Sequence, residues 1–358
     1  MTMGKQHRPR FDQHQGGITV LQRTMLSVLA AGVVIAFGAA SASAQKQTLK
    51  MAYWAGPSHH MVKTQEAWIK TIEAASGGNL TIEVDKAPLA KPDGQYDLVK
   101  NGVRDMVWHV PAYTRGRFEM LQAGEIPFLC PNATVCAPAL WKWYAKHKLA
   151  DKEFTDTKLL TVFMHGPGGI HTLKPATTLE QIKGIKIRAG GAGVPIGKAL
   201  GMSVVSMTAT EAHEALSRGT VDGVLFPWEA MDSFRLTELT KAHLEVPGGM
   251  YTATFIININ PRSFDRLTDS NKAALMKASG EAGSALFGKH WDAADDKARD
   301  NAKKLGHSIQ TLAPAELDRW RPMLQFVEDE WVKKANSRGL NGKMLLDDLR
   351  AMIKASSS

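Results

Sequence analysis

Cysteine is almost absent from this chain of 358 residues, which contains only Cys130 and Cys136. Two cysteines are too few for a multi-cysteine zinc module or a dense disulfide framework. Clusters of one charge are missing as well, because Lys and Arg are scattered and charged residues make up only 22% of the sequence. We therefore expect no nucleic-acid partner. The chain is long enough for two domains, and its 44% hydrophobic content excludes a disordered class.

Long apolar runs are equally scarce. The single long run covers residues 25–40, which is shorter than the roughly 18 to 20 residues needed to span a bilayer. It follows four basic residues and precedes Ala42-Ser43-Ala44. This order predicts a secretory signal peptide over residues 1–44, cleaved after Ala44, with an uncleaved anchor as the alternative. Four basic residues and one acidic residue lie in that segment, so +6 of the total net charge of +9 belongs to the remaining chain. The excess favours encounter with anionic small molecules.

The two cysteines belong to the exported part of the chain. They enclose a Pro-containing segment of five residues, and an oxidising compartment permits a small-loop disulfide between Cys130 and Cys136. Two free buried thiols are the alternative. A metal site would need further ligands nearby, and a redox pair more often has the spacing CxxC.

Hydrophobic periodicity predicts alternating strands and helices. The first set is a strand over 49–53, a helix over 60–75, a strand over 80–84, a helix over 92–102 and a strand over 103–110. This βαβαβ order is typical of mainly parallel sheets covered on both faces.

A second α/β set begins with a strand over 159–164 and a Gly/Pro-rich loop over 165–169, and it ends with a strand over 221–226. The pattern then becomes helical over 269–305 and again after Pro314. Two α/β sets with a helical tail predict two lobes, with a ligand cleft between them.

Signatures of catalysis are missing from the sequence, which has no GxSxG, HExxH or GKS/GKT motif. The segment 191–197 resembles a dinucleotide loop but is one residue too long for GxGxxG, so we expect no cofactor. No two histidines have the i,i+4 spacing of a helical metal site, so we expect no metal either. His59, His60, His165 and His171 fall in predicted loops, where they are neutral donors to a ligand or bond to backbone and water.

Arg188 is the most informative residue. It ends the apolar strand 185–188 and precedes Ala189-Gly190-Gly191, which places its side chain at the carboxyl end of the sheet, facing the crevice. A planar guanidinium binds a carboxylate through two parallel charge-assisted hydrogen bonds. Pairing with a protein carboxylate is the alternative. Glu229 is a candidate to orient Arg188 or a ligand hydroxyl, and a solvated role is equally compatible with the sequence.

Several aromatic residues lie near predicted loop ends. Their rings can enclose an aromatic or branched ligand, although core packing is an alternative for each ring. Trp54 and Trp228 are the strongest candidates because turn residues lie beside them. The full set is Trp54, Trp108, Tyr113, Phe226, Trp228 and Tyr251.

Three segments together resemble a known family. GIKIRAGGAG at 184–193, ALGMSVVSM at 199–207 and ATEAHEALSRGTVDGVLFPWEAM at 209–231 are similar to the solute-binding proteins of TRAP (tripartite ATP-independent periplasmic) transporters. The resemblance implies a periplasmic, two-lobe α/β receptor in which a long C-terminal helix bridges the lobes. It also implies that the protein closes on an organic anion and delivers it to a membrane permease driven by an ion gradient, without catalysis.

The resemblance also implies roles for single residues. Arg188 matches the family arginine that holds the ligand carboxylate. Phe226 occupies a position that is often Asn in the family. The loop in which many relatives have a second arginine corresponds to residues 166–171 here, which include Gly168 and His171 but no arginine. Both departures remove polar groups, so we expect a bulky apolar pocket and an aromatic or branched monocarboxylate. The expected ligand-binding set is Arg188, Phe226, Trp228, Trp54, His171, His165, Gly168, Trp108 and Tyr251.

Alternative functions remain open at this point. A dicarboxylate would need a second cation, for which His171, His165 or a lysine are the candidates. A secreted enzyme acting on carboxylates and a ligand-sensing partner of a receptor kinase are the other classes. The expected lobes are 45–165 with 252–291, and 166–251 with 292–358.

Overall fold

The computed structural model describes residues 46–357, which form two β-sheets surrounded by helices. The predicted signal peptide therefore lies outside the described residues. The strands are β1 (Gln47–Ala52), β2 (Leu80–Val84), β3 (Met106–His109), β4 (Lys158–Met164), β5 (Gly169–Thr172), β6 (Lys186–Ala189), β7 (Ser203–Ser206), β8 (Gly223–Phe226), β9 (Ala242–Glu245), β10 (Thr254–Ile259) and β11 (Ser308–Thr311).

The helices connect and cover these strands. They are α1 (Met61–Ala75), α2 (Gln95–Lys100), α3 (Ala133–Lys146), α4 (Ala150–Glu153), α5 (Leu179–Ile182), α6 (Gly193–Ala199), α7 (Ala212–Ser217), α8 (Glu229–Ser233), α9 (Pro261–Asp265), α10 (Asp269–Ala278), α11 (Gly280–Lys304), α12 (Pro314–Ser337) and α13 (Gly342–Ser356). Over the described range, no helix combines the length and apolarity that a transmembrane span requires.

The first sheet has the strand order β2-β1-β3-β10-β4. β1 pairs in parallel with β2 and β3, as the βαβαβ pattern predicts. β10 runs antiparallel between β3 and β4, so the sheet is mixed rather than mainly parallel. The pattern missed β10 because all six of its residues are buried and its sequence lacks the alternation that marks a strand with one exposed face.

The second sheet has the order β11-β9-β5-β8-β6-β7. β6 pairs in parallel with both β7 and β8, which places Arg188 on a strand inside the sheet. β5 runs antiparallel between β8 and β9, although Gly169 was predicted to lie in a loop. The glycine has a packing role there, because a Cβ on Gly169 would lie 2.8 Å from the carbonyl oxygen of Leu244. The two-lobe α/β prediction is confirmed, and the expectation of mainly parallel sheets is not.

The long helical tail is interrupted at Ser279, whose backbone is extended between α10 and α11. Gly280 follows with φ of +60°, a conformation that favours glycine. The 25-residue α11 then packs against α3 and β4 of the first lobe and against α8 of the second. It bridges the lobes, as the resemblance implied for a long C-terminal helix.

The last helix differs from the expected lobe division. Residues 292–358 were expected in the second lobe, and β11 does join the second sheet. However, α13 returns to the first lobe, where the Trp143 indole N–H donates to the Leu345 carbonyl at 2.7 Å. Lys146 also pairs with Asp348 at 2.7 Å. An amphipathic helix buries its apolar face in the same way on either lobe, so its sequence alone does not specify the partner.

The two cysteines are joined by a disulfide in the structure. Cys130 precedes α3 and Cys136 lies within it. The backbone N–H of Cys130 also donates to the Gly248 carbonyl at 3.2 Å. The small loop therefore contacts the segment through which the chain returns from β9 to β10.

Candidate functional site

Arg188 is buried in the second sheet with only 2% of its surface exposed. Its Nη2 donates to the Met207 carbonyl at 2.9 Å, and its Nη1 to the Leu225 carbonyl at 3.4 Å. Its Cζ lies 4.1 Å from the centre of the Phe226 ring. Among residues 46–357, its Nε has no hydrogen-bond partner, and no carboxylate oxygen lies within 4.0 Å of the guanidinium nitrogens, the limit for an ion pair. Because a buried charge without a counter-ion is costly, this guanidinium is suited to an anionic ligand.

A cavity opens beside this guanidinium, and most of the residues that line it are apolar or aromatic. Ligand sites in proteins commonly combine such a lining with a few polar groups that orient the ligand. Six of the nine predicted site residues line it, namely Arg188, Phe226, Trp54, Trp108, His165 and Tyr251.

Stacked aromatic rings form much of the wall. Trp54, just after β1, stacks on Trp108 of β3 with ring centres 4.5 Å apart. Phe255 of β10 stacks on Trp291 of α11 at 4.6 Å. These four residues come from the first sheet and the bridging helix, whereas Arg188 comes from the second sheet. The cavity therefore lies between the lobes, with these four rings on one side and a cation packed on Phe226 on the other.

His165 contributes a neutral ring. Its Nδ1 lies 2.5 Å from the Gly166 carbonyl, and its Nε2 lies 2.8 Å from the backbone nitrogen of Ala253. Nδ1 must therefore carry the proton and Nε2 must accept. Burial lowers the pKa of His165 to about 4, so the ring is uncharged at neutral pH. His165 cannot act as the second cation of a dicarboxylate site.

His171 and Trp228 were predicted in the site, but they line a different cavity. His171 contacts His243 through the two Nδ1 atoms at 2.8 Å, and its Nε2 lies 3.1 Å from the Phe226 carbonyl. Burial lowers the pKa of His171 to about 4. The Trp228 indole donates to Glu245 at 3.0 Å. Each ring satisfies its polar atoms within the protein, which directs it away from the ligand cavity.

Gly168 acts through its small size. A Cβ at this position would lie 2.6 Å from the Tyr251 ring, so only glycine lets that ring approach. The Tyr251 hydroxyl donates to the Leu225 carbonyl at 2.9 Å, the same carbonyl that Arg188 contacts. Gly168 therefore supports the cavity wall from behind, and it is absent from the lining.

Glu229, the first residue of α8, is a buried carboxyl in the same cavity. Its Oε2 has no hydrogen-bond partner and lies 3.7 Å from Nε2 of His60. Burial raises the pKa of Glu229 to about 8, with a smaller contribution from Asp232. No hydrogen bond or ion pair joins Glu229 to Arg188 among the described residues, so the suggested orienting role is not observed.

His59 lies beside Glu229. Ring nitrogens of His59 and His60 and a carboxylate oxygen of Glu229 lie within 4.8 Å of one another. Two histidines and one carboxylate are a known set of metal ligands. Ligands at about 2.0 to 2.2 Å from one zinc ion would lie closer together, roughly 3.3 Å apart. The group as it stands is thus a polar cluster wider than a formed zinc site.

Some cavity residues had no signal in the sequence. Trp291 lies in the middle of a long helix, where a tryptophan at helical spacing indicates core packing. Phe255 belongs to β10, which the pattern missed. Phe234 follows α8 and stacks on Phe226 with ring centres 5.6 Å apart. Only the tertiary arrangement brings these three rings to one cavity.

A family profile matches this chain over residues 51–334, and its description is bacterial extracellular solute-binding protein, family 7. The chain belongs to this family. It is therefore a TRAP-type solute-binding protein, and members of the family are periplasmic receptors that bind small organic anions and work with membrane permease components.

Solved structures agree with the assignment. A TRAP periplasmic solute-binding protein from Bordetella bronchiseptica, solved with bound (R)- and (S)-mandelate, is 31% identical with a TM-score of 0.82, covering 86% of this chain and 99% of its own. A TRAP solute-binding protein from Rhodoferax ferrireducens T118 in complex with copurified benzoate is 32% identical with a TM-score of 0.81, covering 87% and 99%. A curated relative, the outer membrane transporter protein TsaT of Comamonas testosteroni, is 26% identical over 88% of this chain and 94% of its own length.

Proposed function

We propose that this TRAP-type receptor captures an aromatic monocarboxylate and delivers it to its membrane permease. The observation that carries the proposal is the buried guanidinium of Arg188, which has no carboxylate partner within residues 46–357, at the wall of a cavity formed largely by aromatic rings. The mandelate and benzoate bound to the two similar structures support the same ligand class.

The geometry supports a simple binding sequence. The carboxylate first binds Arg188, whose Nε–H has no partner among residues 46–357 and provides a charge-assisted donor, while Phe226 supports the guanidinium face. The aromatic ring of the ligand then packs against Trp54 and Trp108 of the first lobe. Closure of the lobes excludes water, which lowers the effective dielectric and strengthens the ion pair. The closed shape is what the permease recognises.

A dicarboxylate receptor is less compatible with the site. His165 and His171 are neutral and their ring nitrogens face protein partners. Within the described residues, Arg188 is the only Lys or Arg side chain on the cavity wall. A second carboxylate would therefore enter an apolar or acidic environment, which is unfavourable.

The ligand class is tested by calorimetry on ligand-free protein, prepared by unfolding, dialysis and refolding. We expect benzoate and mandelate to bind with dissociation constants in the micromolar range or tighter, and succinate to bind at least about 100-fold more weakly because only one carboxylate finds a cation. Tight succinate binding without benzoate binding would reject the proposal. Mass spectrometry of small molecules released from freshly purified protein identifies the natural ligand independently.

The absence of catalysis is tested with the same ligands. A receptor returns its ligand unchanged, so prolonged incubation of benzoate or mandelate with the protein should leave a single compound of the original mass.

Export is tested by N-terminal sequencing of protein recovered from a periplasmic extract. We expect the mature chain to begin at Gln45.

A further inference from the structure

The ligand cavity has a second polar end. Arg188 lies over Phe226, Phe226 stacks on Phe234, and Phe234 contacts the His59 ring at 5.1 Å between ring centres. Two aromatic side chains therefore lie between the guanidinium and His59. Glu229, whose carboxyl lies in one cluster with the imidazole rings of His59 and His60, belongs to the same end.

The hydrogen-bonding groups at this end are not all satisfied by the protein. The Glu229 side chain is 4% exposed, and its Oε2 has no hydrogen-bond partner. His59 accepts the Met61 backbone N–H at Nδ1, so its neutral ring carries the proton on Nε2, which makes no hydrogen bond within residues 46–357. A buried polar atom without a partner is unfavourable, so a ligand group that bonds to Glu229 Oε2 and to the nearby His59 ring gains affinity.

The charge at this end selects the kind of ligand group. The backbone N–H of Glu229 donates to Asp295 at 2.7 Å, so a second carboxyl lies close behind the first. Burial lowers the pKa of His59 to about 3 and holds the pKa of His60 well below its ordinary value, so neither ring of the cluster is a cation at neutral pH. A second anionic group would find no cation there and would be left unpaired. An uncharged hydroxyl can both donate to one neighbour and accept from the other.

We propose that Glu229, assisted by His59, binds a hydroxyl group on the aromatic ring of the ligand, so that the receptor prefers hydroxylated aromatic acids. This inference rests on the proposed function, because it takes the Arg188-bound aromatic monocarboxylate as given. Glu229 is a specificity-determining residue in this scheme, and Arg188 supplies the affinity common to all aromatic acids.

The experiment is a calorimetric comparison of benzoate, 3-hydroxybenzoate, 4-hydroxybenzoate and isophthalate on the wild-type chain. We expect at least one hydroxybenzoate to bind about tenfold more tightly than benzoate, the gain of one good hydrogen bond to a buried acceptor. Isophthalate, with a carboxylate at the same end, should bind more weakly than benzoate. Measurements are repeated with EDTA, which should leave the preference unchanged if the contact is direct.

Two substitutions test whether Glu229 binds the ligand hydroxyl. Glu229→Leu should bring the ratio of the benzoate and hydroxybenzoate dissociation constants to about one, whereas Glu229→Gln should keep part of the preference. The matched control is Glu125→Gln, a buried glutamate outside this cavity that bonds to Thr254, and it should keep the wild-type ratio. Circular dichroism and thermal unfolding establish that each variant is folded.

The outcomes separate this inference from the proposed function. Equal binding of benzoate and both hydroxybenzoates by the wild type would overturn the inference and leave the receptor function standing. Loss of the preference in EDTA would overturn it as well, because a metal ion would then hold the hydroxyl. Failure of every aromatic acid to bind would overturn both.

Discussion

The two lobes contribute different chemistry to one cavity. Among the described residues, the first sheet and α11 supply stacked rings without a charged group, represented by Trp54, Trp108 and Trp291. The second lobe supplies the charged and acidic groups, Arg188 and Glu229, together with rings such as Phe226. Rings provide contact area that tolerates many aromatic shapes, and the charged and polar groups fix the orientation of the ligand. A ligand must touch both lobes to gain both contributions, which couples recognition to closure.

Removal of the cation should have the largest effect. Arg188→Ala should weaken benzoate binding at least about 100-fold, because it removes charge-assisted hydrogen bonds made in a low-dielectric cavity. Arg188→Lys is the matched variant: it keeps the charge but loses the planar fork and its stacking on Phe226, so its affinity should be intermediate. Calorimetry measures both. Unchanged affinity in Arg188→Ala would mean that the second lobe does not hold the carboxylate.

Glu229 should make stability depend on pH. Its pKa of about 8 in the folded protein is above the ordinary value of 4.5, so its contribution is fully present below pH 4.5 and is lost as the pH rises towards 8. Across that range the loss should be on the order of 2 to 4 kcal/mol of unfolding free energy. Glu229→Gln should flatten this part of the profile, measured by urea unfolding at several pH values. The exposed Glu83→Gln should retain the wild-type slope.

The difference between the lobes also explains what could be predicted from sequence. Arg188 could be predicted to face the cavity because a cation at the end of an apolar strand next to glycines is a local pattern. Trp291 and Phe255 were missed because their surroundings in sequence are those of ordinary core residues, and only packing of α11 on the first sheet brings them to the cavity. The same reason applies to Trp228 and His171, which the structure places beside another cavity. They have the local setting of ligand contacts, but their polar atoms find partners in Glu245, His243 and the protein backbone.

The junction between the lobes should tolerate little added volume. Gly168→Ala would place a Cβ 2.6 Å from the Tyr251 ring and 2.8 Å from its backbone carbonyl, so the wall behind Arg188 must shift. We expect a loss of about 1 to 3 kcal/mol in stability, with weaker benzoate binding. Gly56→Ala is the control, because nothing lies within 4 Å of the added Cβ. Thermal unfolding and calorimetry report the two effects, and equal behaviour of the two variants would contradict the close packing at Gly168.

The smallest effect should distinguish two tryptophans that look alike in sequence. Trp54 lines the ligand cavity, whereas Trp228 packs against His171 and His243 outside it. Trp54→Phe should weaken benzoate binding about three- to tenfold through lost ring contact, while Trp228→Phe should leave the dissociation constant within about twofold. Trp228→Phe should instead lower the thermal midpoint, because Glu245 loses the indole donor. The reverse pattern of affinities would place the ligand in the cavity beside Trp228 and move the aromatic wall from the first lobe to the second.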